Sequence, residues 1–155
     1  MSTTCTLCDR ARTLRTCSGW VLETSCWGVS PHPALQVPGW VAVQTLRHTE
    51  GLATLNTAEA QTLGPVLSRV AAALARATST QHIYTYALGE RVPHTHILMG
   101  PPGHGMRGRE FLDRLLRRDQ SLVDQPTAKR IAADVAALLA GSDSPLERRT
   151  QAGPP

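Results

Sequence analysis

The segment Val92-Pro93-His94-Thr95-His96-Ile97-Leu98-Met99-Gly100-Pro101 commits both faces of one β-strand. Residues two apart in an extended chain share a face, so the spacing sets His94, His96 and Leu98 on one side and Thr95, Ile97 and Met99 on the other. A strand that is apolar behind and carries two imidazoles in front has to sit in a sheet with a core on its back. It presents the imidazoles as a chemical pair.

The preceding chain supplies the partners for such a strand. Gly19-Trp20-Val21-Leu22-Glu23 and Trp27-Gly28-Val29 read as short strands before the turn Pro31-His32-Pro33, where proline removes amide donors. Val37-Pro38-Gly39 turns into a buried strand, Trp40-Val41-Ala42-Val43, which leaves His48 at or just beyond its end. Asn56-Thr57-Ala58-Glu59 opens a capped helix of about twenty residues whose stripe is Leu63, Val66, Leu67, Val70, Ala71 and Leu74, with Gly64-Pro65 interrupting it early and kinking its first turns. Gln81 to Ala87 alternates as a strand, Gly89-Glu90-Arg91 turns, and the histidine strand returns antiparallel beside it. These pieces predict an α+β fold, an antiparallel meander packed on one long helix. Two further helices follow, Glu110 to Arg118 and Thr127 to Ala140, the second stopped by Gly141. Residues 1–19 lack apolar periodicity and read as a loop organised by something other than a core, and residues 142–155 as a disordered tail.

Composition narrows the function. A chain of 155 residues reads as one domain with a self-sufficient core. Its net charge of +4 comes from 16 basic residues that are all arginine except Lys129, scattered apart from Arg107/Arg109 and Arg114/Arg117/Arg118. That suits an anionic small ligand such as a phosphate ester, and it is too diffuse for specific nucleic acid binding. Neither a membrane span nor a secretory leader is visible, so a soluble cytoplasmic protein is expected. In that compartment Cys5, Cys8, Cys17 and Cys26 read as thiols or metal ligands.

Cys5-Thr6-Leu7-Cys8 is the chemically pointed pair. Zinc takes four thiolate or imidazole ligands, and C-x-x-C aims two sulfurs at one point. No second such motif comes closely after it. His48 at a strand end and His94 at a strand start are the best-placed donors to complete a site, which would pin the N-terminal loop to the sheet. A redox dithiol is the alternative, although the strand and helix that flank thioredoxin-like motifs are missing. Cys17 and Cys26 carry no motif. His32 reads as a turn residue, His82 as a partly exposed strand position, and Trp20, Trp27 and Trp40 as core.

Taken in order, Cys5-x-x-Cys8, Pro38-Gly39-Trp40-Val41-Ala42-Val43 running to Arg47-His48, Leu55 with the capped helix, and Val92-Pro93-His94-x-His96 closing on Pro101 resemble the histidine triad (HIT) superfamily. The likeness is strongest to its zinc-containing bacterial branch, and it covers roughly residues 5–101. It implies a HIT-like domain over 1–109 with an N-terminal zinc loop, a helical extension over 110–141 and a tail over 142–155. HIT proteins cleave P–O or P–N bonds of nucleotides through a nucleotidyl-histidine and are usually homodimers. The resemblance places that nucleophile on His96 and structural zinc on Cys5, Cys8, His48 and His94. Partners are then a nucleotide or phosphorylated small molecule and a second copy of the chain, with no membrane.

One departure limits the resemblance. Leu98 stands where the family carries its third histidine, and it can neither protonate a leaving oxygen nor bond a phosphate. The turn Gly89-Glu90-Arg91 lacks the family's glutamine or serine, and Pro102 stands where a basic residue is common. His104 in the glycine-rich loop is a candidate proton donor, and His104 and Arg107 are candidate nucleotide contacts. Three readings stay open: a hydrolase or transferase of the dinucleoside polyphosphate or phosphoramidate type, a catalytically degenerate nucleotide-binding protein, and a HIT scaffold reused for other metal chemistry with His94 and His96 beside Tyr84 or Tyr86.

Overall fold

Alternation along Val92–Pro101 leads to an interior strand, one in from the edge of a five-stranded antiparallel sheet. The computed structural model of the chain describes residues 5–103, 105–106 and 108–141. In chain order the elements are α1 (Thr6–Thr16), β1 (Leu22–Glu23), β2 (Trp27–Pro31), β3 (Val41–Thr45), α2 (Thr57–Thr78), β4 (Tyr84–Tyr86), β5 (His96–Gly100), α3 (Gly108–Leu116) and α4 (Gln125–Gly141), with single 3₁₀ turns at Leu52–Thr54 and Gln120–Leu122. The sheet order is β1-β2-β3-β5-β4. This is the α+β meander on a long helix that the patterning predicts.

Register decides which side chains share a face. Gly28 pairs with Gln44 and Gln44 with His96; Ser30 pairs with Ala42 and Ala42 with Leu98. The opposite face is made by Trp27, Val29, Val41, Val43, Ile97 and Met99, which form one core with Val66, Val70 and Leu74 of α2 and with Ile131, Val135 and Leu139 of α4. The α2 start is the expected capping box, since Asn56 Oδ1 accepts from Glu59 N–H at 2.9 Å and Glu59 Oε2 accepts from Asn56 N–H at 2.8 Å. The helix continues through Gly64-Pro65 as one element of 22 residues, because packing of its apolar stripe outweighs one lost amide bond.

Three expectations are corrected here. The N-terminal segment is the helix α1 and not a loop; its stripe is too short to show as periodicity, yet Leu7 and Ala11 are buried and Gln44 Nε2 donates to Leu7 O at 3.2 Å. Charge also suits the helix, with Asp9 in its first turn, Arg15 in its last and an Arg12–Asp9 contact one turn apart. His94 lies outside the β5 ladder, because its N–H closes a tight turn onto Val92 O at 2.7 Å around Pro93. His32 stands in the expected turn after β2 and is buried there, at 7 % exposed. Its N–H donates to Trp40 O at 2.9 Å and so prolongs the β2–β3 ladder past Pro31. The strand assignment for His82 is the third: it is exposed and precedes β4.

The His96 face of the sheet is covered from two sides. α1 crosses it at Gln44, while Phe111, Leu115 and Leu122 from α3 and the turn after it pack on Trp40, Ala42 and Leu98 together with Leu35 and Val37. Close approach explains one glycine: a Cβ on Gly100 would stand 2.4 Å from the Trp40 ring. Trp27 and Trp40 are buried as expected, and Trp20 is half buried.

Candidate active site and metal centre

Four residues from three separate segments converge beside the start of β5. Cys5 caps α1 and Cys8 lies in its first turn; His48 follows β3; His94 precedes β5. Their ligand atoms all lie within 4.8 Å of one another. Cys5 Sγ and Cys8 Sγ each stand 3.4 Å from His94 Nδ1, and Cys8 Sγ stands 3.5 Å from His48 Nδ1. Tetrahedral zinc, with Zn–S near 2.3 Å and Zn–N near 2.0–2.1 Å, sets sulfur and nitrogen about 3.5 Å apart. The donor set therefore fits a zinc ion by spacing as well as by type.

The outer atoms of both imidazoles agree with that fit. His94 Nε2–H donates to Thr45 O at 2.9 Å, and His48 Nε2 lies 3.5 Å from Glu50 Oε1. With its proton on Nε2, each ring turns an Nδ1 lone pair toward the sulfurs, the arrangement that orients metal-bound histidine. The His94 ring is 1 % exposed, and burial is the main cause that holds it below the ordinary histidine range. Burial, followed by the neighbouring Cys5, pushes the Cys8 thiol up to about 11. A cation held by these four residues would offset that penalty on the thiolate.

His96 stands apart from the cluster. Its Nδ1–H donates to His94 O at 2.7 Å, and since a carbonyl only accepts, the proton is on Nδ1 and the lone pair is on Nε2. His96 is half buried and lines a cavity of about 550 Å³ together with Glu50, Leu52, Leu88 and Pro93. Leu52 and Leu88 are exposed apolar side chains on its rim. The pair His94 and His96 is thus divided, one ring turned to the sulfurs and the other lining the cavity.

Leu98 is 8 % exposed and packed in the apolar cluster under α3. Among the described residues no histidine replaces it at its sheet position. The candidates His104 and Arg107 lie outside the described residues, as does the tail expected over 142–155. Tyr84 and Tyr86 follow Leu98 along the sheet to its edge, and Tyr86 packs on Trp40 with ring centroids 5.8 Å apart. Sequence reasoning missed the cavity wall from Glu50 and Leu52, because loops bring it to His96. It also missed the surroundings of His32, although parity with Gly28 and Ser30 on β2 would have set His32 on the His96 face once the register was known.

No family model and no curated protein matches this sequence. Solved structures do. A zinc-bound histidine triad family protein of Mycobacterium smegmatis is similar over 90 % of this chain and 96 % of its own, at 16 % identity and a TM-score of 0.64. A HIT-like protein involved in cell-cycle regulation from Bartonella henselae is similar over 84 % of this chain and 95 % of its own, at 16 % identity and 0.62. The diadenosine triphosphate hydrolase of Plasmodium falciparum is similar over 81 % and 76 %, at 12 % identity and 0.56. The chain therefore has the HIT fold.

Proposed function

We propose that this chain is a HIT-type nucleotide hydrolase or nucleotidyl transferase in which His96 attacks phosphorus. The observation that carries the reading is the bond from His96 Nδ1–H to His94 O, which leaves Nε2 as an unprotonated nucleophile facing the cavity. Attack by Nε2 forms a P–N bond while the bond to the leaving group breaks and takes the electron pair. Water then attacks phosphorus, the P–N bond breaks and returns its electron pair to Nε2, the water's proton passes to solvent, and the nucleotide is freed. Zinc on Cys5, Cys8, His48 and His94 supplies a rigid, electrically compensated anchor. Through His94 O, that anchor holds the neighbouring ring in its tautomer and orientation.

The site favours leaving groups that depart without a proton. Leu98 has no proton to give, and the loss of a general acid costs on the order of 10²–10⁴-fold only where protonation is needed. Dinucleoside polyphosphates and phosphoramidates of already protonated amines meet that condition. We place the protein in a reducing cytoplasm, in keeping with four free cysteines, and as a homodimer that would use the exposed edge strand β4. Turnover of such substrates by the zinc-loaded chain, abolished in His96→Ala, is the expected result. The sealed Leu98 favours one alternative, a nucleotide-binding protein without turnover. Calorimetric binding with no product released by wild type would select it.

A further inference from the structure

The face that carries His96 also holds a half-buried positive charge with no carboxylate partner among the described residues. Arg10 projects from α1 toward the end of β2 and is half buried. Its Nη2 donates to Pro31 O at 3.2 Å, and its Nε is sealed from solvent without an acceptor. Among the described residues no carboxylate pairs with it, in contrast to Arg15 on Glu23, Arg47 on Glu59 and Arg114 on Asp119. A guanidinium N–H sealed from water without an acceptor is costly, and the group's remaining donors are free to meet an anion.

The residue after Pro31 is the second half of the arrangement. His32 Nδ1 accepts from Ala34 N–H at 3.1 Å and from Leu35 N–H at 3.0 Å. A ring nitrogen that accepts cannot carry the proton, so Nε2 does. Among the described residues that N–H has no acceptor, and it is not among the sealed polar atoms. The ring shares the sheet face with Ala42, Leu98 and His96. Burial pushes His32 down to about 4, and the charges of Arg10 and then Arg118 add to that, so the ring is a neutral donor beside positive groups. Arg118 lies in the turn after α3, whose Phe111 and Leu115 pack with Leu35 and Val37 just after His32.

We propose that Arg10 and the Nε2–H of His32 form an anion subsite on the His96 face, which takes a phosphate group of the substrate other than the one His96 attacks. The identity of the anion rests on the proposed nucleotide chemistry; the existence of the site does not. When His96 Nε2 bonds to phosphorus, the bridging P–O bond breaks and its electron pair leaves on the neighbouring phosphate. Arg10 and His32 hold that phosphate as an anion, so charge stabilisation replaces the proton that Leu98 cannot deliver. The subsite selects phosphoanhydrides over substrates with a single phosphate.

Calorimetry with inorganic pyrophosphate on the zinc-loaded full chain tests this. Binding is expected, weakened about tenfold or more in Arg10→Gln, less in Arg10→Lys, and within about twofold of wild type in Arg130→Gln. In the wild type, pyrophosphate should also shift the Nε2 and Nε2–H resonances of His32, a readout that holds even where Arg10→Gln does not fold. No binding at millimolar pyrophosphate, a Kd indifferent to Arg10→Gln, or an unmoved His32 signal would overturn the subsite. Pyrophosphate binding without any nucleotidyl adduct on His96 would remove the catalytic reading and leave this one. An adduct without pyrophosphate binding would do the reverse.

Discussion

At the scale of single residues, three positions two apart have three different environments. His94 is buried with Nδ1 on two sulfurs, His96 is half buried with Nδ1 bonded to His94 O and no Nε2 partner among the described residues, and Leu98 is packed under α3. Leu98 belongs to the core of this face, so truncation to Ala should cost about 2–5 kcal/mol, read from denaturant unfolding. Leu98→His should also destabilise, because the new ring's polar nitrogens would meet Phe111, Leu115 and Leu122 in place of water. It should bring no gain on substrates whose leaving group needs a proton; a stable Leu98→His with raised turnover would show that the position is open after all. The alternation of the two histidines was legible in the sequence. Their separation was not, since it depends on a turn at Pro93 and on a carbonyl that only the fold brings to Nδ1.

Among the elements, α2 was the most legible because its signals are local. A capping box and a three-to-four-residue apolar step depend on neighbours in the chain, and the helix appears where they set it. α1 was illegible for the opposite reason: two buried side chains and a bond from Gln44 hold it, and all are long-range. The α2 cap also carries a pH dependence. Arg47, and then the Asn56 amide, keep the buried Glu59 carboxyl below the usual carboxylate range, with Arg47 Nη2 at 2.7 Å. A depressed folded value means the charge stabilises the fold above the unfolded carboxylate pKa near 4.3 and ceases to do so as pH falls through the folded value. Glu59→Gln should therefore melt below wild type at pH 7, with the gap closing under about pH 4. A gap that stays constant from pH 7 to 3 would deny the carboxylate that role.

For the whole molecule, the cluster of Cys5, Cys8, His48 and His94 ties three separate segments together: α1, the loop after β3 and the approach to β5. Ligand chemistry nominated those four from sequence, because thiolates and imidazoles are scarce in this chain and their choices few. The anion subsite stayed hidden, since an arginine on α1 and a histidine between prolines meet only through packing. Elemental analysis should find about one zinc per chain, lost in Cys5→Ser together with a clear drop in melting temperature, as when a metal contributes folding free energy. Full thermal stability after exhaustive chelation would contradict a structural role. Everything proposed for catalysis depends on His96 as the nucleophile, and trapping the intermediate decides that. The zinc-loaded chain would be mixed with a dinucleoside polyphosphate or nucleoside phosphoramidate, quenched without acid and weighed intact by mass spectrometry. One acid-labile nucleotidyl group per chain, mapped to His96 and absent from His96→Ala, is the expected result. A folded, zinc-loaded wild type that binds the nucleotide yet gains no mass and releases no product would contradict it.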